Sequence, residues 1–245
     1  MRPGLPRVLA DAAALWRSER DLLLPLAGVF FFLPMLGMVL LIAHSGFGKD
    51  IAPEKLGEAM IAFQTANLLP VLLAGIVLDF GTFAVLNLFL QGRGATLGQV
   101  LGASVRRFLP YLAISFAARF ASSFGLSLFV LPGLFLLART WLAGVAYAAA
   151  PEKGPIAAFA EGWRRSRGVT WLVMLATALF VMVPALFASV VLSAMIAGVG
   201  MALGGGEAGM ILGYLVTAAI GAFAWTWIAV LGVAFYRLTG ASSGT

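Results

Sequence analysis

The chain has 245 residues, 62% of them hydrophobic and only 11% charged, with a mean hydropathy of +1.01. A water-soluble surface cannot be built from so few charges, and repeated apolar runs near 20 residues exclude a β-barrel in favour of membrane-spanning helices. The absence of cysteine and the single histidine, His44, exclude disulfides, thiolate chemistry and a histidine-based metal site within one chain, while the net charge of +6 has to be read from its distribution.

The first element runs over roughly 5–20. Leu5, Val8, Leu9, Ala12, Leu15 and Trp16 share one helical face ahead of Arg17 and Arg20, the pattern of a helix lying in the membrane interface. A span follows at roughly 21–44, kinked at Pro34. Ala43-His44-Ser45 has the small residues of a cleavage site, but the charged lead-in and the apolar run are too long for a signal peptide, so a retained span is expected. Pro53 to Ala66 reads as a short outer helix, and the second span occupies roughly 68–90. A second interfacial helix, roughly 96–107, puts Leu97, Val100, Leu101, Val105 and Phe108 around Arg106 and Arg107, with Thr96 and Gln99 at capping-box spacing. Spans at roughly 108–128 and 131–150 form a tight hairpin about the Leu131-Pro132-Gly133 corner.

A third interfacial helix covers roughly 155–167, with Pro155 in its first turn and Ile156, Phe159, Ala160 and Trp163 ahead of Arg164, Arg165 and Arg167. The fifth span, roughly 169–198, is expected to kink at Pro184 and, exceeding what a bilayer needs, to tilt or bend. Gly204-Gly205-Gly206 is a loop, and the sixth span occupies roughly 209–236. The expected fold is all-α and integral to the membrane: one domain, 1–245, of six transmembrane helices in three hairpins, with short cytoplasmic interfacial helices. The three interfacial helices are either simple anchors or the mark of a threefold internal repeat.

Charge sets the orientation. Arg2, Arg7, Arg17, Arg20, Arg93, Arg106, Arg107, Lys153, Arg164, Arg165, Arg167 and Arg237 fall on one side, and only Lys49 and Lys55 on the other, beside Asp50, Glu54, Glu58 and Glu207. Twelve basic residues against two place both termini in the cytoplasm of a bacterial inner membrane, and the basic residues cluster at helix ends rather than on a nucleic-acid face. Arg106, Arg107, Arg164, Arg165 and Arg167 are expected to contact anionic lipid headgroups.

Three charges remain inside the spans: Asp79, Arg119 and Arg139. Counted at about 1.5 Å per residue they share a depth, and an ionised group there needs a partner. Asp79 is expected to hold Arg139, with Arg119 close by. Two readings stay open: an architectural ion pair that fixes packing, or a polar cavity with one surplus positive charge, suited to an anion such as a lipid phosphate or a carboxylate. A third arrangement has an arginine snorkelling to an interface. Gln64, Asn67, Asn87, Ser115 and Thr140 are available for neutral hydrogen bonds, and Trp16, Trp163 and Trp171 are placed at the headgroup level. Hydrolase elbows, zinc helices, phosphate loops and catalytic carboxylate pairs are missing, so no enzyme activity, metal or cofactor is expected. The expected function is lipid binding or the organisation of a membrane partner. The alternative is a small transporter or lipid flippase for an anionic substrate.

The stretch LPGLFLLARTWLAGVAYAAAPEKGP, followed by AFAEGWRRSRGVTW, resembles the membrane domain found beside glycerophosphoryl diester phosphodiesterases, a family with stand-alone bacterial inner-membrane members. Pro132, Gly133, Arg139, Pro151, Glu152, Trp163, Ser166, Arg167, Gly168 and Trp171 occupy its characteristic places, whereas Gly162 stands for a serine and Arg165 for an apolar residue. The likeness covers roughly residues 100–200. It implies six helices and an inner-membrane address. The family's hydrolase activity belongs to a separate soluble barrel, which is not read in these 245 residues.

Overall fold

A computed structural model describes residues 4–47, 51–92 and 94–241, and among these there is no strand. Arg2, Lys49, Asp50 and Arg93, counted in the charge distribution above, lie outside the described residues. Six helices are long and apolar enough to cross a membrane, so the protein is a multi-pass helical membrane protein.

Helix α1 (Leu5–Ala27) joins the first amphipathic stretch to the start of the first span, with non-helical backbone angles at Glu19 (φ −129°, ψ 19°) marking the change of direction. A π-helical turn, Gly28–Phe32, then leads into α2 (Leu33–Ser45). That wider turn sits just ahead of Pro34, which has no N–H for the carbonyl four residues back and would crowd it in a normal turn. A 3₁₀ turn (Pro53–Lys55) and α3 (Leu56–Ala66) bring the chain to α4 (Leu68–Leu90).

Helix α5 (Leu97–Leu128) is continuous where the sequence reading has an interfacial helix followed by a span. Its start carries the complete capping box. Thr96 N–H donates to Gln99 Oε1 at 2.9 Å, and Gln99 N–H donates to Thr96 Oγ1 at 3.4 Å. The corner into α6 (Val130–Ala149) is Phe129, in extended conformation, while Pro132 and Gly133 already belong to the first turn of α6. There the missing proline N–H leaves no helical bond unmade. Gly125 and Gly133 let the two helices touch: a Cβ on Gly133 would lie 2.3 Å from Leu126 Cγ, and one on Gly125 2.9 Å from Gly133 Cα.

A second 3₁₀ turn (Pro151–Lys153) precedes α7 (Gly154–Arg165), and Gly168, at φ +63°, turns the chain into α8 (Thr170–Ala202) and then α9 (Gly206–Ala241). Helix α8 runs unbroken through Pro184. The three amphipathic stretches differ in geometry. The first bends at Glu19, the second continues into its span as one helix through Pro110, and α7 folds back along α6. A Cβ on Gly162 would meet Ala143 N at 2.6 Å, and the Ser166 hydroxyl donates to the Arg139 carbonyl at 3.1 Å. A residue larger than glycine at 162 would hold the two backbones apart.

Packing is densest along α9, α6 and the second half of α4, while α8 and α2 present most of their surface outward. Phe83 stacks on Tyr111 (centroids 4.4 Å apart) and Tyr147 (5.9 Å) at the centre. Lipid tails are as apolar as these side chains, so burial alone drives little association. Close packing and polar contacts between helices hold the bundle. Phe120, Leu131, Phe187 and Leu203 are 70–81% exposed, as expected of a surface that meets lipid.

The end of the bundle that carries the basic residues is cross-linked by hydrogen bonds to helix-end carbonyls. Gln91 Nε2 donates to Ala148 O, Arg107 Nη1 to Gln91 Oε1, and Arg237 Nη2 to Phe89 O, at 2.7–2.9 Å. Carbonyls in the last turns of α4 and α6 thereby gain partners.

Candidate functional site

Five helices enclose a cavity of about 340 Å³. Helix α4 contributes Asp79, Thr82 and Leu86. Helix α5 contributes Tyr111, Ser115 and Arg119, spaced four apart on one face. Thr140, Trp141 and Gly144 come from α6, Leu175, Ala178 and Met182 from α8, and Trp225 and Ile228 from α9. Most of the wall is apolar. A cavity of this size lies at the small end of those that take organic ligands, about 300–1,000 Å³.

Its polar feature is an ion pair. Arg119 Nη2 donates to Asp79 Oδ1. The Asp79 side chain is 6% exposed and that of Arg119 is 46% exposed, so the carboxylate faces inward while the guanidinium reaches the bundle surface. Asp79 Oδ2 is wholly enclosed and receives no well-aligned hydrogen bond among the described residues, with the Ser115 hydroxyl of α5 as the neutral group that acts on the same carboxyl. One turn along α4 from Asp79, Thr82 Oγ1 accepts from Trp225 Nε1 of α9 at 3.1 Å. Trp225 escaped the sequence reading because nothing in its neighbourhood distinguishes a cavity tryptophan from a packing one.

Arg139 does not join this pair, which corrects the pairing with Asp79 expected from depth. Leu137, Thr140, Trp141 and Gly144 line the cavity, and at 3.6 residues per turn Arg139 points to the other side of α6. Its guanidinium lies over the ring of Trp163, 4.2 Å from the centroid, and 5.8 Å from that of Phe135. Phe135 in turn packs edge-on against Trp171 at 5.2 Å. Arg139 is 6% exposed, its Nε is enclosed without an acceptor, and Arg167 is the charged neighbour that acts on it. The cavity therefore carries a neutral pair rather than a surplus positive charge.

Among the five arginines expected to face anionic lipid, three are engaged by the protein. Arg107 bonds Gln91, and Arg164 and Arg165 both bond Glu161. Arg165 also donates to the Tyr236 carbonyl at 2.8 Å and lies over the Tyr236 ring at 3.9 Å. Burial raises the Glu161 carboxyl, but the Arg165 hydrogen bond and the charges of Arg165, Arg164 and Lys153 outweigh it and hold the group below its ordinary value. Arg106 and Arg167 are exposed.

The neutral polar candidates separate as well. Ser115 and Thr140 line the cavity, the latter also bonding the Leu136 carbonyl. Asn67 Nδ2 returns to the Phe63 carbonyl, and Asn87 Nδ2 donates to Ser104 Oγ between α4 and α5. Trp16 stacks on Trp227 of α9, 5.6 Å between centroids.

Comparison with protein-family models, with curated proteins and with solved structures finds no match to this chain.

Proposed function

We propose that this is a non-enzymatic, lipid-binding protein of a bacterial inner membrane, with both termini cytoplasmic, that takes an amphiphile from the bilayer into the cavity at Asp79 and Arg119. The observation that carries this reading is the enclosed Asp79 carboxylate, whose neighbours Arg119 and Ser115 leave part of its hydrogen-bonding capacity unfilled in an otherwise largely apolar wall. A buried carboxylate oxygen without a donor is costly, and a ligand hydroxyl or ammonium would satisfy it. The nitrogens of Arg119 not used by Asp79 are available to an acceptor on the same polar group. The ligand class is thus an apolar chain whose head bears a hydrogen-bond donor. The likeness of residues 131–171 to the phosphodiesterase-associated membrane domain agrees with an inner-membrane address, and we take it as part of the proposal.

The test is lipid identification on the purified protein by native mass spectrometry. Ala178→Phe, which fills the cavity from α8, should abolish a co-purifying amphiphile while helicity and oligomer mass stay unchanged. Retention of the same lipids at the same occupancy in Ala178→Phe would refute the reading. A second reading, transport, is favoured by one observation: Asp79 lies halfway along the 23 residues of α4, where transporters place their sites. Reconstituted vesicles with a fluorescent lipid in one leaflet would decide it. Lipid exchange faster than in protein-free vesicles, lost in Ala178→Phe, would make the protein a flippase.

A further inference from the structure

Outside the cavity, Arg139 and Arg167 form a cationic pair to which no carboxylate is bonded among the described residues. The acid nearest in sequence, Glu161, is taken by Arg164 and Arg165. Arg139 is 94% enclosed by its own fold, yet its side chain makes no hydrogen bond there, and only Nε is fully sealed. The aromatic faces of Trp163 and Phe135 offset part of the cost of that charge, and they leave its N–H groups unsatisfied. The N-terminus of the 33-residue α8 arrives at the same place, because Trp171 in its first turn packs on Phe135. Its dipole adds positive potential, although the N–H groups of Thr170, Leu172 and Val173 are already bonded to the carbonyls of Arg167 and Val169.

Arg167 and Trp163 stand at one end of a groove of about 760 Å³ between α5 and α7, whose remaining walls include Ala113, Ala117, Ile156 and Phe159. Ile156 is 86% exposed, so this apolar strip is covered only by whatever surrounds the protein. We infer that this is a site for an anionic phospholipid, with the phosphate held by Arg167 and Arg139 near the start of α8, and an acyl chain laid along the α5–α7 groove. Guanidinium groups match phosphate oxygens in geometry as well as charge, and the groove supplies the apolar complement in the same place. The site is separate from the Asp79 cavity and does not depend on a ligand there.

Binding is measured on the full chain in a neutral detergent, titrated with phosphatidylglycerol and read by native mass spectrometry and by the tryptophan emission lost in Trp163→Phe, the chain having six tryptophans. Phosphatidylglycerol should bind saturably. Arg167→Gln should weaken it about tenfold, and Arg139→Lys, which keeps the charge but loses Nε and the planar fork, by several-fold. Phosphatidylcholine at the same concentrations should bind far less, and millimolar inorganic phosphate should not displace the lipid. Arg20→Gln, an exposed arginine on α1, which does not line the groove, should leave affinity unchanged. Unaltered binding by Arg167→Gln, or an equal loss in Arg20→Gln, overturns the site. Displacement by free phosphate overturns its assignment to lipid. Because Arg167 is exposed, its variant keeps the test valid even if Arg139→Lys fails to fold.

Discussion

Removing either member of the Asp79–Arg119 pair should cost unequal amounts, and the asymmetry follows from their exposure. Arg119→Met takes away the cation bonded to Asp79 and leaves a carboxylate without an ionic partner in a side chain only 6% exposed. Breaking a buried pair in this way costs about 3–5 kcal/mol. Asp79→Leu strands Arg119 instead, but that side chain is already 46% exposed and can extend its stem along the lipid-facing surface. Its loss should be about 1–2 kcal/mol, near that of a charge-assisted hydrogen bond. At about 2–4 °C per kcal/mol for a chain of this size, the apparent Tm in detergent should fall by about 6–20 °C for Arg119→Met and about 2–8 °C for Asp79→Leu.

The double variant Asp79→Leu with Arg119→Met leaves no stranded charge and should recover most of the larger loss. Asp79→Leu combined with Arg139→Met should instead be additive, because the two side chains face opposite sides of α6. A larger loss in Asp79→Leu than in Arg119→Met would refute the argument from exposure. Simple summation in the Asp79–Arg119 double would refute the pairing itself.

Gly162→Ala should destabilise by about 1–3 kcal/mol, since its Cβ would lie 2.6 Å from Ala143 N and backbone cannot step aside; the same thermal scan measures it. Glu161, held below its ordinary value of 4.5, contributes stability that is complete above that pH and lost as pH falls through the lowered value. An acid titration followed by the tryptophan emission lost in Trp163→Phe should therefore show α7 loosening below about pH 4.5, by at most about 1 kcal/mol, with no such step in Glu161→Gln. For orientation, Glu207→Cys should react with an impermeant thiol reagent added outside intact cells and Lys153→Cys should not, the chain having no other cysteine; labelling of position 153 from outside would invert the proposed topology.

Composition and periodicity alone determined that the chain is a helical membrane protein, because a backbone in lipid must bond to itself and the apolar runs match bilayer thickness. Local chemistry was equally legible: Thr96 and Gln99 announce the start of α5 three residues apart, and Pro34 announces a disturbed turn. Depth was legible for one pair, since residue counts along α4 and α5 bring Asp79 and Arg119 to the level at which they bond. Azimuth was not. Which face of a helix meets which neighbour depends on contacts between residues distant in sequence, and those chose Arg119, on the face of Tyr111 and Ser115, over Arg139. The folding back of α7 was likewise decided by tertiary contact, where Gly162 has no side chain and so lets α7 reach the α6 backbone. An uniformly apolar sequence carries little periodic signal to orient its helices, so the partners of its few charges are set by packing.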